Sequence, residues 1–337
     1  MIIVLRPKIS KAQESAVLKE IRKLGYRPHI IRGVARTVIG AIGDESTHQT
    51  LETLITWPQV ESVMPVQKRY KLVSREAHPA GSTIAVRDHA IGGKKFHVMA
   101  GPCSVESETQ LLKTAEAVKA AGATILRGGA FKPRTSPYEF QGLGQKGLKL
   151  LAKARRQTGL AIITEMLSET HADLIAEYTD IIQIGARNSQ NFQLLIAAAR
   201  TGKPVLLKRG LSMKIEEWLL AGEYVLSHGN GDLMFCERGI RTFETYTRNT
   251  LDLSTIPIIK KESHCPIVID PSQGAGRADL VKAMCKGAVA MGADALLIEV
   301  HPNPAEAWSD GTQQVSLEMF AELMQELRPL ILAAGRE

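Results

Sequence analysis

Twelve residues of this chain stand out because each is chemically able and each lies at or just beyond the end of a short apolar run. They are Cys103, Arg127, Lys132, Arg134, Glu165, Arg187, Lys208, Arg209, Arg238, Asp270, Glu299 and Asp310. Taken singly, a Lys or Arg at such a place is more often a solvated loop charge. Brought to one place, Arg127, Lys132, Arg187, Lys208 and Arg238 would repel one another unless anions lay between them. The pattern therefore points to substrates that carry phosphate or carboxylate, with more than one such group in all. Arg supplies the planar fork for these anions and Lys the compact charge. Cys103 follows Gly101-Pro102, Glu299 ends a later apolar run, and Asp310 lies in the loop beyond it. A thiolate with two carboxylates is a candidate divalent-metal site. Cys236, Cys265 and Cys285 read as small buried hydrophobes.

Those residues need elements that bring them together. From Lys95 onward the sequence alternates apolar runs with amphipathic stretches. The strand candidates are 96–101, 124–129, 160–166, 181–185, 204–210, 232–239, 266–272 and 295–300, with helices such as 108–121, 145–157, 191–200, 214–226, 277–291 and 316–333 between them. About eight strand-helix units with near-continuous apolar strands predict a closed (β/α)8 barrel, whose strand ends meet at one face. A doubly wound open sheet is the alternative, but it would usually show fewer strands, and the glycine fingerprint of its first turn is absent. The first seventy residues read differently. Strands at 2–5, 29–31, 37–42 and 60–66 and helices at 11–24 and 49–56 give the order β-α-β-β-α-β, a split βαβ, ferredoxin-like pattern. The expected organisation is a domain over 1–70, a linker over 71–95 and the barrel over 96–337.

Composition narrows the function classes. The 337 residues are 44% hydrophobic and 23% charged, with 42 Lys and Arg against 35 Asp and Glu, a net +7. No apolar run approaches the roughly 18 residues that span a bilayer, and the opening MIIVLRP is too short for a signal peptide, so the cytoplasm is expected. Four cysteines without a CxxC pair fit a reducing compartment. Aromatics make up only 5% and no basic block interleaves with them, so no nucleic-acid partner is expected.

The segments GPCSVES (101–107), RGGAFKPRTSPYEFQG (127–142), QIGARN (183–188), LLKRG (206–210), CERGIRTFE (236–244), DPS (270–272), EVHP (299–302) and SDG (309–311) belong together. As a set they resemble 3-deoxy-D-arabino-heptulosonate 7-phosphate (DAHP) synthase, in the subgroup with a ferredoxin-like regulatory domain ahead of the barrel. That family condenses phosphoenolpyruvate with erythrose 4-phosphate and releases phosphate, the first step of the shikimate pathway to the aromatic amino acids. The resemblance implies that Arg127, Lys132, Arg187, Lys208 and Arg238 hold phosphoenolpyruvate. It implies that Lys132, Pro133, Arg134 and Thr135 meet erythrose 4-phosphate, and that Glu165 orients the attacking water. Lys132, Glu165 and Asp270 are the expected catalytic residues.

The family's metal ligands are a cysteine, a histidine, a glutamate and an aspartate. Cys103, Glu299 and Asp310 match three of them, but the histidine of a DPSH motif is here Gln273. Gln273 is expected to offer its carbonyl oxygen or hold a water in that place. The implied cofactor is a divalent metal, Mn, Fe, Zn or Co, bound more weakly than by imidazole. His301, two residues beyond Glu299, would point to the same side if the strand continued, but the family has a histidine there without using it as a ligand. The resemblance also implies a homo-tetramer and inhibition by an aromatic amino acid, tyrosine or phenylalanine, at the N-terminal domain. Two alternatives stand beside it. One is 3-deoxy-D-manno-octulosonate 8-phosphate synthase, which uses the same barrel but which KPRTS and the N-terminal domain speak against. The other is a catalytically impaired paralogue with a defective metal site, acting as an effector-binding partner, favoured by Gln273 alone.

Overall fold

The structure, a computed structural model, describes residues 1–32, 36–43, 48–64 and 68–337. It divides into two compact units, Met1–Arg69 and Tyr70–Glu337. In the first, β1 (Ile2–Leu5), α1 (Lys11–Lys23), β2 (Arg27–Arg32), β3 (Thr37–Ile42), α2 (His48–Glu52) and β4 (Val60–Met64) follow in the ferredoxin-like order. The sheet runs β2-β3-β1-β4 and is antiparallel throughout. Ser10 caps α1 by accepting from the Gln13 amide while the Gln13 side chain accepts from Ser10 N, a reciprocal cap that contributes about 1 kcal/mol. Gly25, at φ 88°, then turns the chain out of the helix. The buried face of α1, Val17, Leu18 and Ile21, shares one core with Ile3, Leu5 and Ile39. The strand expected to reach Val66 is described as far as Met64; Val66 lies outside the described residues.

The second unit is a closed barrel of eight parallel strands, which excludes the open sheet. Its strands are β7 (His97–Gly101), β8 (Ile125–Arg127), β9 (Ala161–Glu165), β10 (Ile181–Ile184), β11 (Val205–Lys208), β12 (Leu233–Glu237), β13 (Ile267–Ile269) and β14 (Ala295–Glu299). A helix follows each: α3 (Glu108–Ala120), α4 (Gln145–Thr158), α5 (Ala172–Tyr178), α6 (Phe192–Arg200), α7 (Ile215–Ser227), α8 (Thr255–Glu262), α10 (Ala278–Ala290) and α11 (Leu317–Ala333). A five-residue helix, α9 (Pro271–Ala275), intervenes before α10. Among the described residues no helix is long and apolar enough to cross a membrane.

Successive strand side chains point to opposite faces, and the two faces separate into two cores. Val98, Leu126, Ile162, Ile182, Leu207, Phe235, Ile267 and Leu296 pack outward beneath the helices. Met99, Ile125, Ile163, Ile181, Leu206, Met234, Val268 and Leu297 fill the interior. Residues 71–95 are more than a connection. Glu223 of α7 accepts the backbone amides of Lys71, Leu72 and Val73 at 3.0, 2.8 and 2.9 Å. Further on, β5 (Ile84–Val86) and β6 (His89–Ile91) form a hairpin whose Ile84, Val86 and Ile91 join the interior core. The hairpin closes the end of the barrel where β7 begins, and the His97 ring reaches it at Ala90 O, 3.3 Å away.

Candidate active site

The two-residue period of each strand decides which charged residues reach the barrel mouth. One inward step beyond Ile125, Ile163, Leu206, Cys236, Val268 and Leu297 come Arg127, Glu165, Lys208, Arg238, Asp270 and Glu299. Cys103 is two such steps beyond Met99. A cavity of about 200 Å³ opens there, lined by seven cations and three carboxylates. Its cations are Arg127, Lys132, Arg134, Arg187, Lys208, Arg238 and Arg248, and Pro133 and Thr135 line it beside them.

At its floor the polar groups interlock. Arg127 Nη1 donates to Glu299 Oε1 at 3.0 Å and to Pro102 O at 2.8 Å, while its Nε is buried without a partner. Lys132 Nζ donates to Cys103 O at 3.1 Å and Sγ at 3.0 Å. The Cys103 thiol donates to Asp310 Oδ2 at 3.3 Å. Burial, and then the nearby Glu299 carboxylate, push that thiol up to about 12. Burial alone would lower the Arg127 guanidinium, but Glu299 together with Cys103, Asp270 and Glu165 outweighs it and holds the group above its ordinary value. Lys208 Nζ pairs with Asp270 Oδ2 at 2.5 Å, and Asp270 Oδ1 caps α9 by accepting from Gln273 N at 2.9 Å.

Not every group is tied. Among the described residues, the side chains of Arg187 and Glu165 have no hydrogen-bond or ion-pair partner, yet both line the cavity. Glu165 lies over Gly185, where a Cβ would come within 1.9 Å of its Oε1, so only glycine leaves room for the carboxylate.

A metal site is tested by its donors. Ligand atoms of Cys103, Glu299 and Asp310 lie within 4.8 Å of one another. One sulfur and two carboxylates suit a divalent ion, and Arg127 and Lys132 already offset their charge. Asp310 adopts φ 48°, a left-handed backbone uncommon for a non-glycine residue, which turns its carboxylate into this group. The residues present thus fit a metal through three donors. Gln273, in the fourth place, sends Nε2 to Glu299 Oε1 at 3.1 Å and Asp310 Oδ2 at 3.5 Å, and accepts from Arg238 Nη2 at 2.6 Å through Oε1.

Residues 73–333 match the family model described as the DAHP synthetase I family, and residues 1–68 match the DAHP synthase ferredoxin-like domain. The chain belongs to the DAHP synthetase I family. It is 50% identical over 335 residues, 99% of each chain, to phospho-2-dehydro-3-deoxyheptonate aldolase of Thermotoga maritima. It is similar to the crystal structure of DAHP synthase from Thermotoga maritima with a TM-score of 0.93 and 49% identity, over 100% of this chain and 98% of that one. A truncated form of 3-deoxy-D-arabino-heptulosonate 7-phosphate synthase from the same organism aligns with 80% of this chain and 98% of its own, with 50% identity and a TM-score of 0.75. The 2-dehydro-3-deoxyphosphooctonate aldolase of Caulobacter vibrioides is 32% identical over 269 residues, covering 74% of this chain and 91% of that one.

In this member of the DAHP synthetase I family one sequence expectation needs correcting. Arg209 does not face the cavity. It is one residue out of phase with Lys208 and turns outward to Glu237 at 2.9 Å, Asp252 at 3.0 Å and the Met213 carbonyl at 2.9 Å. His301 does not join the donors. Its Nε2 meets Glu106 Oε2 at 3.2 Å, and its Nδ1 accepts from Asn303 N at 3.1 Å. Three residues escaped the sequence reading. Arg248 Nη1 donates to Asp310 Oδ1 at 3.2 Å, and Gln313 Nε2 donates to Glu299 Oε2 at 2.6 Å. Gln314 Oε1 accepts from Cys103 N at 3.0 Å. Gln313 and Gln314 follow Asp310 closely, which was the available signal; Arg248 lies in an irregular loop with none.

Proposed function

We propose that this chain condenses phosphoenolpyruvate with erythrose 4-phosphate to give DAHP and inorganic phosphate, in the cytoplasm. The observation that carries the reading is the meeting of Arg127, Lys132, Arg187, Lys208 and Arg238 in one cavity beside Cys103, Glu299 and Asp310. Two phosphates and a carboxylate give those cations their partners. Arg187 and Lys208, at adjacent strand ends, hold the phosphate of phosphoenolpyruvate; Arg127, Lys132 and Arg238 complete its binding. The stretch Lys132, Pro133, Arg134 and Thr135 receives erythrose 4-phosphate.

Carbon C3 of phosphoenolpyruvate attacks the aldehyde carbon, water adds at C2, and phosphate departs with cleavage of its bond to C2. Lys132 Nζ donates to the aldehyde oxygen as negative charge develops there. Glu165, without another partner, orients the water and takes its proton. Asp270 fixes Lys208 for the phosphate. A divalent metal, Mn, Fe, Zn or Co, held by Cys103, Glu299 and Asp310 would supply Lewis-acid polarisation of the aldehyde. The protein's share is positioning and charge stabilisation, with no covalent adduct on Cys103. The N-terminal unit is the site of inhibition by an aromatic amino acid, and the enzyme works as a homo-tetramer.

The test is to incubate the purified chain with phosphoenolpyruvate and either erythrose 4-phosphate or arabinose 5-phosphate, with and without Mn²⁺, while following phosphoenolpyruvate absorbance. Loss is expected with erythrose 4-phosphate and metal. Loss only with arabinose 5-phosphate would establish the octulosonate reaction instead, and loss with neither would establish an inactive paralogue.

A further inference from the structure

We propose that Gln273 is a positioning residue and not a metal ligand: its amide is locked between Arg238 and the acidic pair, so among the described residues a divalent ion is offered Cys103, Glu299 and Asp310 and no fourth donor. The inference rests on the metal-dependent reading above and deepens it at the position where this chain departs from the expected histidine.

The two ends of an amide are chemically distinct, and its surroundings here admit one orientation. On one side stands a guanidinium, which has donors and no acceptor; on the other stand two carboxylates, which when ionised have acceptors and no donor. Gln273 meets both demands, with Oε1 accepting from Arg238 at 2.6 Å and Nε2 donating to Glu299 at 3.1 Å and Asp310 at 3.5 Å. Turning the carbonyl toward the metal donors would set the NH₂ against Arg238 and break all three contacts.

The Arg238–Gln273 contact is held at both of its ends. Arg238 is buried, and the Gly239 that follows it is held by Glu237 Oε1 at 2.6 Å. The backbone of Gln273 is fixed on both sides, its N by Asp270 Oδ1 at 2.9 Å and its O by Asn249 Nδ2 at 2.9 Å. A histidine at this place could turn a ring nitrogen to the ion, whereas the glutamine has already committed its acceptor to Arg238.

Two consequences follow. The site lacks the nitrogen donor that favours Zn and Fe, so its preference shifts toward ions content with carboxylate oxygen, such as Mn. Arg238, in turn, is aimed by Gln273, which links the phosphoenolpyruvate subsite to the metal subsite through one side chain.

The test uses the full-length, metal-stripped chain titrated with Co²⁺, whose visible bands and thiolate charge-transfer band report the donors bound directly to the ion. Wild type, Gln273→Leu, Gln273→Met, Gln273→His and Cys103→Ser are compared, each checked for an unchanged near-ultraviolet circular dichroism spectrum. Wild type is expected to show the thiolate band, and Cys103→Ser to lose it. Gln273→Leu and Gln273→Met should keep the wild-type cobalt bands while raising the KM for phosphoenolpyruvate more than they lower kcat. Gln273→His should shift the bands as a nitrogen enters.

Cobalt bands that change in both Gln273→Leu and Gln273→Met would show the carbonyl to be a ligand and overturn the proposal. Wild-type protein without the thiolate band would overturn it too. The spectra need no substrate, so an enzyme silent toward erythrose 4-phosphate would refute the proposed reaction without touching this result.

Discussion

Lys208 and Arg187 are both assigned to the same phosphate, yet they sit in opposite surroundings. Lys208 is 4% exposed and paired with the 1% exposed Asp270, while Arg187 is exposed and unpaired among the described residues. Removing Lys208 leaves a buried carboxylate without its counter-charge, which costs about 3 to 5 kcal/mol of stability. Removing Arg187 disturbs nothing folded. We therefore expect Arg187→Ala to unfold at the wild-type temperature while losing roughly 30- to 900-fold in kcat/KM, which is about 2 to 4 kcal/mol. Lys208→Ala should lose activity and stability together. Thermal melts beside steady-state kinetics check the pair, and near-normal kcat/KM in both would remove them from the site. The inward-facing residues were legible because strand alternation fixes the mouth positions once a strand is recognised. That same rule excludes Arg209, which proximity to a strand end alone could not. Arg248 was not legible, since its approach to Asp310 spans 62 positions and depends on an irregular loop.

At the scale of elements, the segment between β8 and α4 carries Lys132, Pro133, Arg134 and Thr135, and its closure depends on backbone geometry. Gly142, at φ 96°, lies so close to Ala130 that a Cβ would stand 2.2 Å from Ala130 O. Lys132 N donates to Gln141 O at 2.9 Å across the same closure. Phe140 meets Trp308 edge-on at a centroid distance of 4.9 Å, joining this segment to the loop that carries Asp310. We expect Gly142→Ala to open the segment and raise the KM for erythrose 4-phosphate at least about tenfold, with a much smaller change for phosphoenolpyruvate. Separate KM measurements decide it, and equal change for both substrates would contradict the assignment of this segment. The barrel strands themselves were plain in the sequence because each lies in a near-continuous apolar run. The β5–β6 hairpin was not, because each strand is three residues long, too short for the alternation of Ile84 and Val86 about Ala85, or for Ile91, to make a sustained period. Only the barrel end they close gives them a core.

At the scale of the molecule, buried histidines set the response to acid. His97 is fully buried, and burial lowers its ring from the ordinary 6.5 to about 4. Burial lowers His89 and His264 in the same direction. Between about pH 6.5 and 4 the unfolded chain binds the proton that folded His97 refuses, so stability is intact above that window and falls as pH drops through it. Urea midpoints should therefore be level near neutrality and decline below it, and His97→Gln should flatten the decline; an unchanged profile would contradict the role. The N-terminal unit has its own core, so deleting residues 1–69 should leave condensation and abolish inhibition by an aromatic amino acid. Full-length protein insensitive to tyrosine, phenylalanine and tryptophan would reject that regulatory role.

The most direct test of the central claim is the mass of the product. Metal-supplied full-length protein, mixed with phosphoenolpyruvate and erythrose 4-phosphate, should yield the seven-carbon ketose phosphate, with one inorganic phosphate released for each phosphoenolpyruvate consumed. Phosphoenolpyruvate left intact, or phosphate released at the same rate without erythrose 4-phosphate, would contradict it.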